Sequence, residues 1–109
     1  MLNDGIETIR AWTFAESAIN SLRLPATLVS LENHAFCYCK KLTRVMLPEG
    51  LQRIDYDCFK SVGLTEIAIP ASVTVIDDSV FYGCQQLKEI AFVDGSKLKE
   101  VGAYVFYDT

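Results

Sequence analysis

Apolar and polar positions along this chain follow two short templates that repeat in tandem. The first reads apolar, two variable residues, apolar, three variable residues, a small or middling residue, then Phe. Its copies are IETIRAWTF, LVSLENHAF, LQRIDYDCF, VTVIDDSVF and LKEVGAYVF, ending at Phe14, Phe36, Phe59, Phe81 and Phe106. The second, apolar-x-x-apolar-x-apolar, follows each of the first four Phe as INSLRLP, LTRVMLP, LTEIAIP and LKEIAFV. Two independent columns holding phase over four turns mark an internal repeat of about 22–23 residues, the signature of a solenoid.

The spacing predicts the elements of each coil. In LTRVMLP, Val45 and Leu47 alternate with Arg44 and Met46, the period-two pattern of a strand with one buried face. Pro48 ends it, because proline has no N–H for a ladder. A turn and a very short second extended piece follow (LQRI), burying its first and last residues. The DYDCF segment is too short for a full helix and is predicted to form a helical or 3₁₀ turn that drives Phe59 inward. One such coil cannot shield its apolar groups alone, so neighbouring coils must stack. At about 4.8 Å per strand, four coils make a stub roughly 20 Å long.

The chain has 109 residues, enough for one domain, 1–109, of about four full coils with partial ends. Half of it is hydrophobic and 22% charged, the composition of a folded domain. A net charge of -4, with Lys and Arg scattered, argues against nucleic acid as a partner. No apolar run approaches the roughly 20 residues of a membrane span. MLNDGIETIR shows no signal-peptide pattern. There is no P-loop, no dinucleotide fingerprint and no nucleophile elbow. No catalytic residue and no cofactor is expected.

The stretch L-x-x-I-x-I-P-x-x-V-x-x-I-x-x-x-V-F-x-x-C-x-x-L, Leu64 to Leu87, resembles the BspA-like class of leucine-rich repeats. The resemblance covers the chain from about Gly5 to Phe106, and includes the proline after the strand, the Phe, and Cys39 and Cys84 three residues beyond it. It implies a right-handed leucine-rich-repeat superhelix with a parallel sheet along one side. It also implies bacterial or protist surface proteins, often adhesive to host or matrix proteins, without enzymatic activity. Three features depart from the class pattern: Ser17-Ala18 and Val62 where Cys is usual, and the Asp94-Gly95 insertion, expected to loosen its coil locally.

Four cysteines raise the question of a disulfide or a metal. Cys39 and Cys84 stand two coils apart, roughly 10 Å, beyond the ~7 Å Cα limit of a bridge. These two and Cys58 are expected as small core hydrophobes. Cys37, one residue after Phe36, is expected in a loop, exposed and open to oxidation. His34, Cys37 and Cys39 form a compressed H-x-x-C-x-C that suits zinc poorly. His34 shares its column with Trp12, Asp57, Ser79 and Tyr104 and is expected on the convex surface, with no base-orienting partner indicated. Asp55, Asp57, Asp77 and Asp78 lack the fixed oxygen spacing of a calcium loop and read as solvated turn residues.

The outward strand columns form the candidate partner-binding face. One column is Ser21, Arg44, Glu66, Glu89; the next is Arg23, Met46, Ala68, Ala91. A third, of uncertain facing, is Asn20, Thr43, Thr65, Lys88. Arg23 and Arg44 make the face basic toward the N-terminus, Glu66 and Glu89 make it acidic toward the C-terminus, and Met46, Ala68 and Ala91 form an apolar strip. The competing reading is an ordinary solvated sheet face on which Arg44 and Glu66 pair, contributing about 0.2–1 kcal/mol. The expected function is a non-enzymatic protein-interaction or adhesion module, with a structural spacer within a longer surface protein as the alternative. Uncapped ends are expected to make the chain a segment of a longer array or a partner for end-to-end pairing of copies.

Overall fold

A computed structural model describes residues 5–109; residues 1–4, the start of the stretch read for a leader signal, lie outside the described residues. The chain winds as a parallel β-solenoid. Its longest ladder joins five dipeptide strands: β1 (Thr8–Ile9), β2 (Ser30–Leu31), β3 (Arg53–Ile54), β5 (Val75–Ile76) and β7 (Glu100–Val101), side by side in that order and all parallel. Each places its second residue over that of the previous coil, so Ile9, Leu31, Ile54 and Ile76 stack and are buried. The longer segments pair less extensively. β4 (Glu66–Ile69) and β6 (Glu89–Phe92) form a two-stranded parallel sheet, and Arg23 and Met46 meet in a single bridge. The expected sheet is therefore present, but the continuous ladder lies on the short extended pieces rather than on the proline-ended strands.

Corners follow the prolines. Pro25, Pro48 and Pro70 each accept a hydrogen bond, at 3.2 Å, from the N–H three residues on, closing a turn. A hydroxyl then clips two of these corners to the preceding coil. The Ser72 hydroxyl accepts from the Gly50 N–H (2.9 Å) and donates to the Leu51 carbonyl (2.7 Å). Thr27 does the same to Gly5 and Ile6.

The segment around each Phe differs from the expected helical or 3₁₀ turn: no helix forms among the described residues. In the third coil, Cys58, Lys60 and Val62 close i→i+3 turns onto Asp55, Asp57 and Phe59, while Asp57, Phe59 and Ser61 donate to Asp78, Val80 and Tyr82 of the next coil. A helix would keep every N–H within its own segment. Here Asp57 and Ser61 adopt left-handed backbone (φ 57° and 55°), and this turns alternate N–H groups toward the neighbouring coil. The same pair of positions is left-handed in every coil: Trp12 and Glu16, His34 and Tyr38, Ser79 and Gly83, Tyr104 and Asp108.

Inside, the five phenylalanines that end the first template form one ladder. Successive rings from Phe14 to Phe106 lie 5.3–6.0 Å apart and within 9° of parallel. Phe36, Phe59 and Phe81 are fully buried, whereas Phe106, with a ring neighbour on one side only among the described residues, is 42% exposed. Leu42, Val45, Leu51, Ile54, Cys58 and Val62 complete the third coil's buried set. No polar side chain among the described residues is buried, so stacking of apolar columns and the backbone ladders carry the cohesion.

Candidate interaction face

All eight residues of the two outward columns, Ser21, Arg23, Arg44, Met46, Glu66, Ala68, Glu89 and Ala91, are exposed. Register brings them together where the β4–β6 pair forms: Glu66 stands beside Glu89, and Ala68 beside Ala91. Arg23 stands beside Met46, whose side chain is 85% exposed. Within β4 the alternation is strict, with Glu66 and Ala68 outward, Ile67 and Ile69 inward. The Arg44 guanidinium donates to the Glu66 carboxylate at 2.9 Å across the coils. Both side chains are well exposed, so the pair is worth little. Glu89 is left directly alongside Glu66 without a cation of its own among the described salt bridges. The third column also faces outward: Asn20, Thr43 and Lys88 are exposed and Thr65 is half-buried. Its backbone joins the coils, Thr65 donating to Thr43 (3.0 Å) and Lys88 to Thr65 (2.9 Å).

The cysteines are free thiols in the interior. Cys39 and Cys84 each donate S–H to a ladder phenylalanine's carbonyl in an earlier coil, Phe14 at 2.9 Å and Phe59 at 3.0 Å. Burial pushes the Cys84 thiol up to about 11. Cys37 corrects the expectation of an exposed thiol: it is fully buried. The turn that holds it is pinned to the previous coil, the Cys37 carbonyl accepting from the Glu16 N–H at 2.8 Å, and Tyr38 takes the exposed position instead. Burial, then the neighbouring Cys39, Glu16 and Asp57, raise its pKa, which suppresses thiolate chemistry at neutral pH. Among the described residues no group of three or more His, Cys, Asp or Glu could hold a metal ion.

His34 is only partly exposed and has partners that the sequence did not indicate. Its ring stacks on Trp12 (4.1 Å, 7°), with Tyr56 edge-on at 5.5 Å. Nε2 lies 3.0 Å from the Asp57 carboxylate and Nδ1 3.0 Å from the Asn33 side-chain oxygen. Both ring nitrogens are thus engaged, which leaves neither free as a general base. The aspartates of the turns are likewise tied to the chain. Asp77 accepts from the Asp78 N–H (2.7 Å), Asp78 from the Ala103 N–H (2.8 Å), and Asp55 faces Arg53 at 3.4 Å.

This geometry agrees with the comparisons. A family model described as BspA type leucine rich repeat region (6 copies) matches residues 7–109. The fold is similar to the crystal structure of the pneumococcal vaccine antigen PcpA, with a TM-score of 0.79 at 21% identity, covering 95% of this chain and 34% of that one. It is also similar to a leucine-rich repeat protein from Bacteroides ovatus, with a TM-score of 0.67 at 20% identity, covering 98% of this chain and 39% of that one. No curated protein matches. The chain spans little more than a third of these structural neighbours, and at such identities they show the fold alone. With the family match running from Glu7 to Thr109, over a stack of coils with the proline corners and phenylalanine ladder in register, the chain belongs to the BspA-type leucine-rich-repeat family.

Proposed function

We propose that this chain is a non-enzymatic protein-interaction module of a cell-surface or secreted protein, and that it binds through the face made by Ser21, Arg23, Arg44, Met46, Glu66, Ala68, Glu89 and Ala91. The observation that carries the reading is the register at β4–β6. It puts Ala68 beside Ala91 and Glu66 beside Glu89, and in the preceding coils Met46, 85% exposed, stands beside Arg23. Solenoids use such regular faces to bind extended protein surfaces. A neighbour of the same fold described as a vaccine antigen supports a surface location, and the family supports protein binding. The test is binding of the chain to a panel of immobilised matrix and serum proteins by surface plasmon resonance. Arg44→Glu is expected to weaken any captured partner about tenfold or more while leaving the melting temperature within a degree or two, because the side chain is exposed.

A second reading, a spacer within a longer surface protein, is favoured by the Arg44–Glu66 pair, in which two charges of the face satisfy each other. Under that reading Arg44→Glu changes no binding at all.

A further inference from the structure

All five tyrosines and the single tryptophan of the chain lie within three residues of a ladder phenylalanine, on the turn edge of the coils and away from the sheet face. Five of these six are strongly exposed: Trp12 54%, Tyr38 41%, Tyr56 46%, Tyr104 66% and Tyr107 57%. Stacking between coils does not demand this, since the Phe ladder stacks while buried. Rigid aromatic side chains with a wet edge are the ones that dominate protein interfaces, at small cost in ordering. They are also held in place beforehand. Trp12 lies flat on His34, and His34 is fixed through both nitrogens. Tyr107 stacks on Tyr82 at 5.2 Å.

Through the middle coils, charge divides this edge in two. After Phe36 and Phe59, lysines already sit over the rings: Lys40 and Lys60 over Tyr38 (5.9 and 6.0 Å), and Lys60 over Tyr82 (5.4 Å). Before Phe36, Phe59 and Phe81 there are carboxylates instead, with Arg10 at the matching position before Phe14. Glu32, Asp55 and Asp77 follow the paired ends of β2, β3 and β5, one above another, and Asp57 and Asp78 lie just beyond. Trp12, Tyr56 and Tyr104 belong to this half, and among the described residues no Lys or Arg stands over them. Aromatic faces flanked by carboxylates complement a cation from both directions, by charge and by the ring quadrupole.

We propose that this turn edge is a docking surface separate from the sheet face, and that it receives a Lys- and Arg-bearing segment of a protein partner against Trp12, Tyr56 and Tyr104. The lysine–tyrosine contacts show the same chemistry within the chain, and the acidic half is where the chain supplies no cation to those rings.

Trp12 is the only tryptophan, so its emission reports on the edge directly. The full chain is titrated with a short Lys/Arg-rich peptide, with a Glu-rich peptide of equal length and a neutral β-linked oligosaccharide as comparisons. The basic peptide is expected to give a saturable change that Tyr56→Ala and Asp57→Asn each weaken about tenfold. Glu89→Gln removes the same charge from the sheet face and is expected to leave binding unchanged, as is Arg44→Glu. Circular dichroism melts confirm that each variant is folded. Equal weakening by Glu89→Gln and Asp57→Asn would reduce the effect to net-charge attraction and overturn the proposal. So would saturation by the oligosaccharide without the peptide, or no saturable change with the basic peptide. None of these results bears on the sheet face, whose own test is the Arg44→Glu variant against its protein partner.

Discussion

Phe59→Ala is expected to destabilise the fold by about 3–5 kcal/mol. The ring is fully buried and has a parallel neighbour on each face, Phe36 at 5.3 Å and Phe81 at 5.8 Å. Truncation removes the buried area, opens a cavity between two coils and interrupts the one aromatic column that runs the length of the stack. Coils on either side are held to their partners only through neighbours, so the loss falls in the middle of the array. Domains of this size are stable by about 5–15 kcal/mol, and the variant should approach the limit of folding at 37 °C. Phe106→Ala is the internal comparison. That ring is 42% exposed and stacks on Phe81 alone, so its loss should cost well under half as much. Urea unfolding followed by circular dichroism measures both, and equal losses would contradict the ladder.

Gly63→Ala is expected to cost about 3 kcal/mol, at the upper end of the range for forced overpacking. A methyl group built at Gly63 overlaps the Lys40 carbonyl oxygen of the preceding coil, with the Leu42 carbonyl oxygen 3.5 Å away. The obstacle is backbone, which cannot swing aside as a side chain would. It is also anchored, because Gly63 N–H donates to the Cys39 carbonyl at 3.2 Å. The residue is glycine for space rather than for an unusual φ. Gly95→Ala separates the two causes. Gly95 has left-handed backbone (φ 82°) but nothing within 4 Å of the added carbon, so it pays only the conformational cost of about 1 kcal/mol. Thermal melts of both variants that ranked Gly95→Ala as the more damaging would show that coils 2 and 3 do not approach each other as described.

The stacking was legible in the sequence because it depends on one number, the repeat length. Once Phe36, Phe59 and Phe81 were aligned, Leu31 over Ile54 and Glu66 beside Glu89 followed. What the alignment did not reveal depends on backbone direction within a coil. The turn before Phe59 has helix-like local bonds, and only the left-handed Asp57 and Ser61 redirect alternate N–H groups to the next coil. A trace of this was present, since His34, Asp57, Gly83 and Asp108, residue types that tolerate that region, each stand two residues from a ladder phenylalanine. Cys37 was misplaced for the same reason: a turn pinned to its neighbour can bury a residue that a free loop would expose.

His34 shows a different limit. The alignment placed it in one column with Trp12 and Asp57, and adjacency in a column of stacked coils is contact: the imidazole lies on the indole and against the carboxylate. Expecting His34 simply on the convex surface missed that consequence, and with it the aromatic edge. The exposure of the outward strand columns was legible because their residues alternate along a strand. The tyrosines are scattered over several turn positions, and only the folded coil gathers them.

The central claim is that the phenylalanines of successive coils stack directly and those two coils apart do not, and a set of double-mutant cycles on the ladder tests it most directly. Substituting Leu at Phe36 and Phe59, singly and together, is predicted to give a coupling of about 0.5–1.5 kcal/mol, the worth of a stacked aromatic pair, while the cycle between Phe36 and Phe81, which are separated by the Phe59 ring, gives a coupling near zero. Equal coupling in the two cycles, or none between Phe36 and Phe59, would contradict the stack.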